Sequence, residues 1–181
     1  MRRIVAGLFM SLDGVVESPE KWQGPYFNDE MGAELGAQMA QSDALLMGRR
    51  TYEEFAAFWP SQGSAGPAGF MNNVRKLVVS TTLRTPGWQN SKVIGGDLSE
   101  ELTTLKRRTG GNILVSGSIT LVSSLLRHGL LDELGVMVCP VVIGTGRHLF
   151  EDSAGPIPLA LAASNTLDNG VLHLTYRPAA G

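Results

Sequence analysis

What the chain lacks narrows it first. It has one cysteine, Cys139, so no disulfide can form within it. That residue lies in the apolar run Leu134 to Ile143, where a free thiol reads as a small buried hydrophobe. Long hydrophobic runs are missing as well. Ile4 to Met10 falls well short of the roughly 20 apolar residues of a membrane-spanning helix, and no small-residue cleavage site follows it. A cytoplasmic protein that does not engage membranes is therefore expected. The 15 Lys and Arg residues are scattered, and 17 Asp and Glu bring the net charge to −2. Without a cationic stripe, nucleic acid is not the expected partner. His128, His148 and His173 are far apart with no ligand-like spacing, so no metal site is expected. No Walker-type Gly-Lys-Ser or Gly-Lys-Thr occurs. Gly144-Thr145-Gly146-Arg147 begins like a dinucleotide fingerprint but lacks the third glycine.

What is present is an ordinary globular composition, 43% apolar and 18% charged, in 181 residues, the size of one domain. Short β-like runs alternate with helical segments. Ile4 to Met10 reads as a strand ending at the turn Leu12-Asp13-Gly14, followed by a polar loop from Glu17 to Phe27. Asn28 is an N-cap for a helix to about Gln41, with Asp29 and Glu30 suited to its dipole. Ala44 to Met47 is a buried strand, Thr51 to Phe58 a helix stopped by Pro60, and Ser61 to Gly69 a mobile surface loop. Lys76 to Ser80 and Ser91 to Ile94 are strands. Asp97 opens a helix, with Glu100 completing a capping-box-like start, and Gly110-Gly111 ends it. Asn112 to Ser116 is a strand and Ser118 to His128 a helix. Glu133 to Ile143 reads as one long strand covered on both faces, and Val136 to Ile143 is a candidate subunit contact. Leu159 to Thr166 and Val171 to Tyr176 flank Asp168-Asn169-Gly170, a hairpin signal. The order predicts a single three-layer α/β domain over residues 1–181: a mainly parallel mixed sheet, helices on both faces and a C-terminal antiparallel hairpin.

Two strand-to-helix junctions carry possible chemistry. In Val115-Ser116-Gly117-Ser118-Ile119-Thr120, free N–H groups at a helix start could cradle a pyrophosphate, and Gly117 would let it approach the backbone. A well-capped helix without ligand accounts for the same residues equally well. In Gly48-Arg49-Arg50-Thr51, two Arg beside a helix start could bind phosphate. Pairing of Arg49 and Arg50 with Glu53 or Glu54 in a solvated turn is the plainer reading. Two such junctions in one sheet reinforce each other, because a dinucleotide carries several phosphates.

Together these blocks resemble the dihydrofolate-reductase-like superfamily, and within it the riboflavin-biosynthesis reductase (RibD C-terminal domain) family and its stand-alone relatives. The carrying residues are Ser11-Leu12-Asp13-Gly14, then Leu46 through Glu53, and Val115-Ser116-Gly117-Ser118. They continue with Gly129 through Glu133 and with Pro140 through Gly146, followed by Leu149-Phe150. The resemblance implies an NADPH-dependent reductase of a small planar heterocyclic or carbonyl or imine substrate, working as a homodimer. Gly48, Arg49, Arg50 and Thr51 match the segment holding cofactor phosphates, including the 2′-phosphate. Ser80 and Thr81 match the strand end against the adenosine half, and Ser116, Gly117, Ser118, Ile119 and Thr120 the pyrophosphate loop. Phe9, Trp22 and Phe27 fall on the nicotinamide and substrate side, with Asp13 and Asp29 as candidate proton donors.

Two departures leave the substrate open. Gly32 falls near the position where dihydrofolate reductases carry a helical carboxylate. Tyr52-Glu53-Glu54 stands where riboflavin reductases have an Asp-Asp-Pro-like stretch. A non-catalytic NADP- or flavin-binding sensor is the alternative reading, and an unrelated α/β interaction protein a third.

Overall fold

Strand β1 (Ile4–Ser11) sets the frame. Successive side chains point to opposite faces of a strand. Accordingly Ile4, Ala6 and Leu8 join one buried cluster, while Val5 and Phe9 face two others across the sheet. The computed structural model describes residues 1–150 and 155–179. Five further strands run parallel to β1: β2 (Ser42–Gly48), β3 (Arg75–Val79), β4 (Ser91–Ile94), β5 (Asn112–Ser116) and β6 (Glu133–Cys139). Strands β7 (Leu159–Thr166) and β8 (Leu172–Pro178) form the antiparallel hairpin. Among the described residues the sheet order is β4-β3-β2-β5-β1-β6-β8-β7.

Helices cover both faces. Helices α1 (Asp29–Ala40), α2 (Arg49–Phe58) and α3 (Gly66–Asn73) pack on the Val5 and Phe9 side through Met31, Tyr52 and Met71. Helices α4 (Leu98–Lys106) and α5 (Ile119–Arg127) pack on the other through Leu102, Leu105, Val122 and Leu125. The interior strands are buried on both sides, which is why Ala44-Leu45-Leu46-Met47 and Ile113-Leu114-Val115 are continuous apolar runs. Each fully buried Leu, Ile or Met contributes about 1.5–3 kcal/mol. The architecture expected from the sequence, a mainly parallel mixed sheet with helices on both faces and a C-terminal antiparallel hairpin, is the one observed.

Several segments differ from expectation. Helix α3 begins inside the stretch Ser61 to Gly69 read as a loop. Pro67 lies in its first turn, where a missing N–H costs nothing, and the Asn72 amide ties the preceding loop down by donating to the Trp59 and Gly63 carbonyls at 3.0 and 3.1 Å. The long strand Glu133 to Ile143 stops at Cys139. Pro140 cannot donate to a ladder, and the chain beyond it turns aside, with the Ile143 and Gly144 N–H groups bonding Asp13 instead. Strand β6 also lies between β1 and β8, so Val136 to Cys139 is buried within this chain, whereas Val142 farther along the same run is exposed. Helix α2 starts at Arg49, two residues before the expected Thr51, and α4 ends at Lys106, ahead of Gly110.

Lys76 is an unexpected interior charge. It is fully buried, donates to the Asn72, Val74 and Gln89 carbonyls at 3.1, 3.0 and 3.2 Å, and sits 4.2 Å from the centre of the Trp88 ring. Burial pulls its ammonium down to about 8. It fastens the end of α3 to the β3–β4 edge.

Candidate nucleotide site

Helices α2 and α5 follow the neighbouring strands β2 and β5, and both begin without a side-chain cap. Gly48 precedes α2. Ser118 precedes α5 in a left-handed conformation, φ 56, and makes no capping bond. Neither first turn holds an acid. The first N–H groups of each helix thus lack an intrahelical acceptor and present positive partial charge at the carboxyl end of the sheet.

The two starts are latched together. The Ser118 hydroxyl accepts from the Gly48 N–H at 3.1 Å, and the Thr51 hydroxyl accepts from the Ser118 N–H at 3.1 Å. Gly117 lies inside this latch with φ 63, and a Cβ there would approach Thr51 Cγ2 to 3.2 Å. Glycine is therefore required by the backbone and by Thr51, a nearer cause than the approach of a ligand. Ser116 ends β5 beside Gly7 of β1. Ile119 packs into the core, so it offers the site only its N–H.

Cations surround these open ends. Arg49 and Arg50 occupy the first turn of α2, and Arg147 Nη2 donates to Thr120 Oγ1 at 3.1 Å in the first turn of α5. Positive side chains at a helix N-terminus oppose the macrodipole, an arrangement that an anion between them would relieve. Arg49 also pairs with Glu53 at 3.0 Å, as the plainer sequence reading anticipates, with both side chains about half exposed. Such an i,i+4 pair contributes only about 0.3–0.5 kcal/mol and can yield to a phosphate. Arg50 is exposed and forms no ion pair among the described residues. Arg147 does not stand out in the sequence, because Gly144-Thr145-Gly146 before it is an incomplete dinucleotide fingerprint. Its backbone is held by Glu17, which accepts its N–H at 3.1 Å, and by Val16, which donates to its carbonyl at 3.0 Å. An Arg directly after a Gly-rich turn that leaves a buried strand was the available signal.

The other expected residues separate into groups. Ser80 directly follows β3, but its hydroxyl accepts from the Thr82 and Leu83 N–H groups at 3.1 and 2.9 Å and so shapes its own turn; Thr81 is exposed there. Phe9 and Trp22 pack against one cluster with Met31, Met137 and Cys139. Burial raises the Cys139 thiol, which keeps it protonated and inert. Phe27 is exposed and lies over α1, its ring 3.8 Å from where a Gly32 Cβ would stand. Asp29 is an exposed first-turn residue of α1.

Asp13 is tied down. It accepts from the Ser11 hydroxyl at 2.6 Å and from the Ile143 and Gly144 N–H groups at 3.1 and 2.8 Å. These bonds, the Ser11 one foremost, hold its carboxyl at about 2. A carboxylate so placed joins the end of β1 to the chain leaving β6 and is poorly suited to giving up a proton near neutral pH. Among the described residues, no group of three His, Cys, Asp or Glu could hold a metal, and no helix is long and apolar enough to cross a membrane.

Known proteins share the fold and the family of this chain. The chain is 27% identical to the uncharacterized protein YyaP of Bacillus subtilis (strain 168) over 97% of its own length and 94% of that protein's. A candidate riboflavin biosynthesis protein from Shewanella sp. PV-4 superposes with a TM-score of 0.81 at 20% identity, covering 98% of this chain and 99% of that one. An Enterococcus faecalis dihydrofolate reductase, solved with NADP(H), has the same fold at a TM-score of 0.63 and 16% identity, covering 97% and 96% of the two chains. Residues 2–173 match the RibD C-terminal domain, and the chain belongs to that family.

Proposed function

We propose that this protein is an NADPH-dependent reductase acting on a small planar substrate with a polarised C=N, C=C or C=O bond. The observation that carries the reading is the pair of uncapped, latched helix starts ringed by Arg49, Arg50 and Arg147. Family membership and the NADP(H)-bound neighbour support it. The first-turn N–H groups of α5 and the Thr120–Arg147 pair would hold the pyrophosphate, and Arg49 with Arg50 the 2′-phosphate. NADPH, when bound, supplies the hydride. Phe9 and Trp22 would form the apolar wall that orients the reacting rings and excludes water. With the Asp13 carboxylate held ionised, the proton comes from solvent.

Fluorescence titration of NADPH and NADH into the purified chain tests the assignment. Hydrogen bonds to charged groups are worth roughly 1.5–3 kcal/mol. Arg50→Ala or Arg49→Ala should therefore weaken NADPH about tenfold or more, with the loss shrinking at high salt. NADH should change far less at whichever Arg meets only the 2′-phosphate. Equal binding of both cofactors by the wild type, or parallel losses in both variants, would remove the 2′-phosphate assignment. Tight NADPH binding with no turnover on a panel of carbonyl, imine and heterocyclic substrates would instead mark a non-catalytic sensor.

A further inference from the structure

The basic residues are scattered along the sequence, yet the fold gathers three of them at the amino ends of the parallel strands. Arg2 lies just before β1, Arg75 opens β3, and Arg108 lies in the turn that leads from α4 to β5. This is the end of the sheet opposite the open starts of α2 and α5.

Arg2 is the centre of the group, with a side chain only 5% exposed. Its Nε donates to the Gly111 carbonyl at 2.9 Å, and its Nη2 donates to the Asp43 carboxylate. Its Nη1 donates to no described residue, yet is not closed off from the surface. Asp43 also accepts from the Gly111 N–H at 2.9 Å. The Gly110-Gly111 pair lets the backbone come this near. Gly110 has φ 147, and a Cβ on it would stand 2.5 Å from Asp43 Oδ2 and 3.2 Å from Arg2 Nε. Helix α4 stops earlier, at Lys106, so the two glycines serve the turn over Arg2 and Asp43 and not the helix end.

The other two cations border the same carboxylate. Arg75 is the ladder partner of Ala44, the residue after Asp43, and Arg108 stands two residues before Gly110. Both are exposed, and neither forms an ion pair among the described residues. Burial, and then repulsion from Arg75 and Arg108, pulls the Arg2 guanidinium below its ordinary value. Lys106 and Asp132 nearby neutralise each other at 2.7 Å. Three guanidiniums around one carboxylate leave a positive surplus. The carboxyl ends of α3 and α4, with roughly half a negative charge each, offset only part of it.

We propose that Arg2 Nη1, Arg75 and Arg108 form a site for a phosphoryl group, free or carried by a small phosphorylated metabolite, separate from the nucleotide end of the sheet. Guanidinium forks match phosphate oxygens in pairs, and a dianion answers both the surplus charge and the unused donors.

Inorganic phosphate and glycerol 3-phosphate are the probes. Each is titrated into the full chain at constant ionic strength, with chloride as the reference salt, and followed by backbone amide NMR shifts. Saturable shifts are expected at residues 43–44, 75 and 108–111, with and without NADPH present. A response confined to residues 48–51 and 117–120 overturns the site, whether or not the nucleotide reading holds. Arg75→Gln and Arg108→Gln change exposed side chains, and each should weaken phosphate about threefold to fivefold with the rest of the spectrum unchanged. Undiminished affinity in both variants overturns the assignment. Shifts that chloride reproduces at equal ionic strength overturn it as well, and mark an adventitious ion only. Glycerol 3-phosphate binding as tightly as phosphate supports a site for a phosphorylated metabolite, and binding of phosphate alone supports a site for the free ion.

Discussion

Helices α1 and α4 begin as helices in soluble proteins usually do, and α2 and α5 do not. Asn28 accepts from the Met31 N–H at 3.0 Å and Asp97 from the Glu100 N–H at 3.1 Å, and acids follow in each first turn: Asp29 and Glu30 in α1, Glu100 and Glu101 in α4. Their orphan N–H groups and dipole ends are satisfied from within the chain. At α2 and α5 the same positions hold Gly48, a left-handed Ser118, two Arg and a Thr bonded to a third Arg. The fold thus closes the helix starts that serve only stability and leaves open the two that meet at β2 and β5. On the proposed nucleotide reading, stability and binding fall to different helix ends of one sheet, and each should be alterable without the other.

The largest effect should come from closing an open end. Thr120→Glu places an acid in the first turn of α5, which should stabilise the helix by about 0.3–1 kcal/mol. It should also pair with Arg147 and repel a pyrophosphate, lowering NADPH affinity about a hundredfold. Denaturant midpoints and NADPH titration on the same sample check both halves. A variant that gains stability and keeps its affinity would break the comparison.

The converse change is smaller. Asn28→Ala and Asp97→Ala each remove a cap and should cost about 1 kcal/mol, a fall of roughly 2–4 °C in Tm for a chain of this size. NADPH affinity should stay at the wild-type value in both. A loss of binding in Asp97→Ala would show that closed and open ends are coupled through the sheet.

The smallest effect concerns Asp13, which does for the chain leaving β6 what Asp97 does for α4. Its folded value of about 2 lies below the ordinary 3.8. The unfolded chain therefore takes up its proton first as pH falls, and the contribution of Asp13 is complete above pH 4 and lost as pH drops toward 2. Because the residue is only partly buried, the change is modest. Urea midpoints measured between pH 2 and 5 should show a shallower slope in Asp13→Asn than in the wild type.

Much of the sheet could be read from the sequence because buried parallel strands are continuous apolar runs, as in Leu45-Leu46-Met47 and Ile113-Leu114-Val115. The hairpin was legible from Asp168-Asn169-Gly170. Helix α3 was not, because Gly66-Pro67 signals a loop as readily as a helix start. The end of β6 was hidden too, since Val141, Val142 and Ile143 continue the apolar pattern while Asp13, 130 residues away, captures the Ile143 N–H. At the site, the two junctions were visible as local motifs, but their meeting was not. Arg147 joins Thr120 across 27 residues and His173 joins Glu34 between distant elements, and no local periodicity encodes such pairs. Asp13 illustrates the reverse case: a turn carboxylate looks the same in sequence whether it donates a proton or accepts three hydrogen bonds.

The latch between Thr51 and Ser118 also bears on how the chain folds. Its two bonds span 67 and 70 residues of sequence. Closing loops of that length costs entropy before the contacts return anything, so pairings of this kind form late. The 48–51 segment belongs to the first half of the chain and the 117–120 segment to the second, and β5 must insert between β2 and β1 before they can touch. The open helix ends therefore do not exist side by side in any partly folded chain that lacks the central strand. If the proposed nucleotide site is right, its affinity for phosphate is acquired in the same step that completes the sheet.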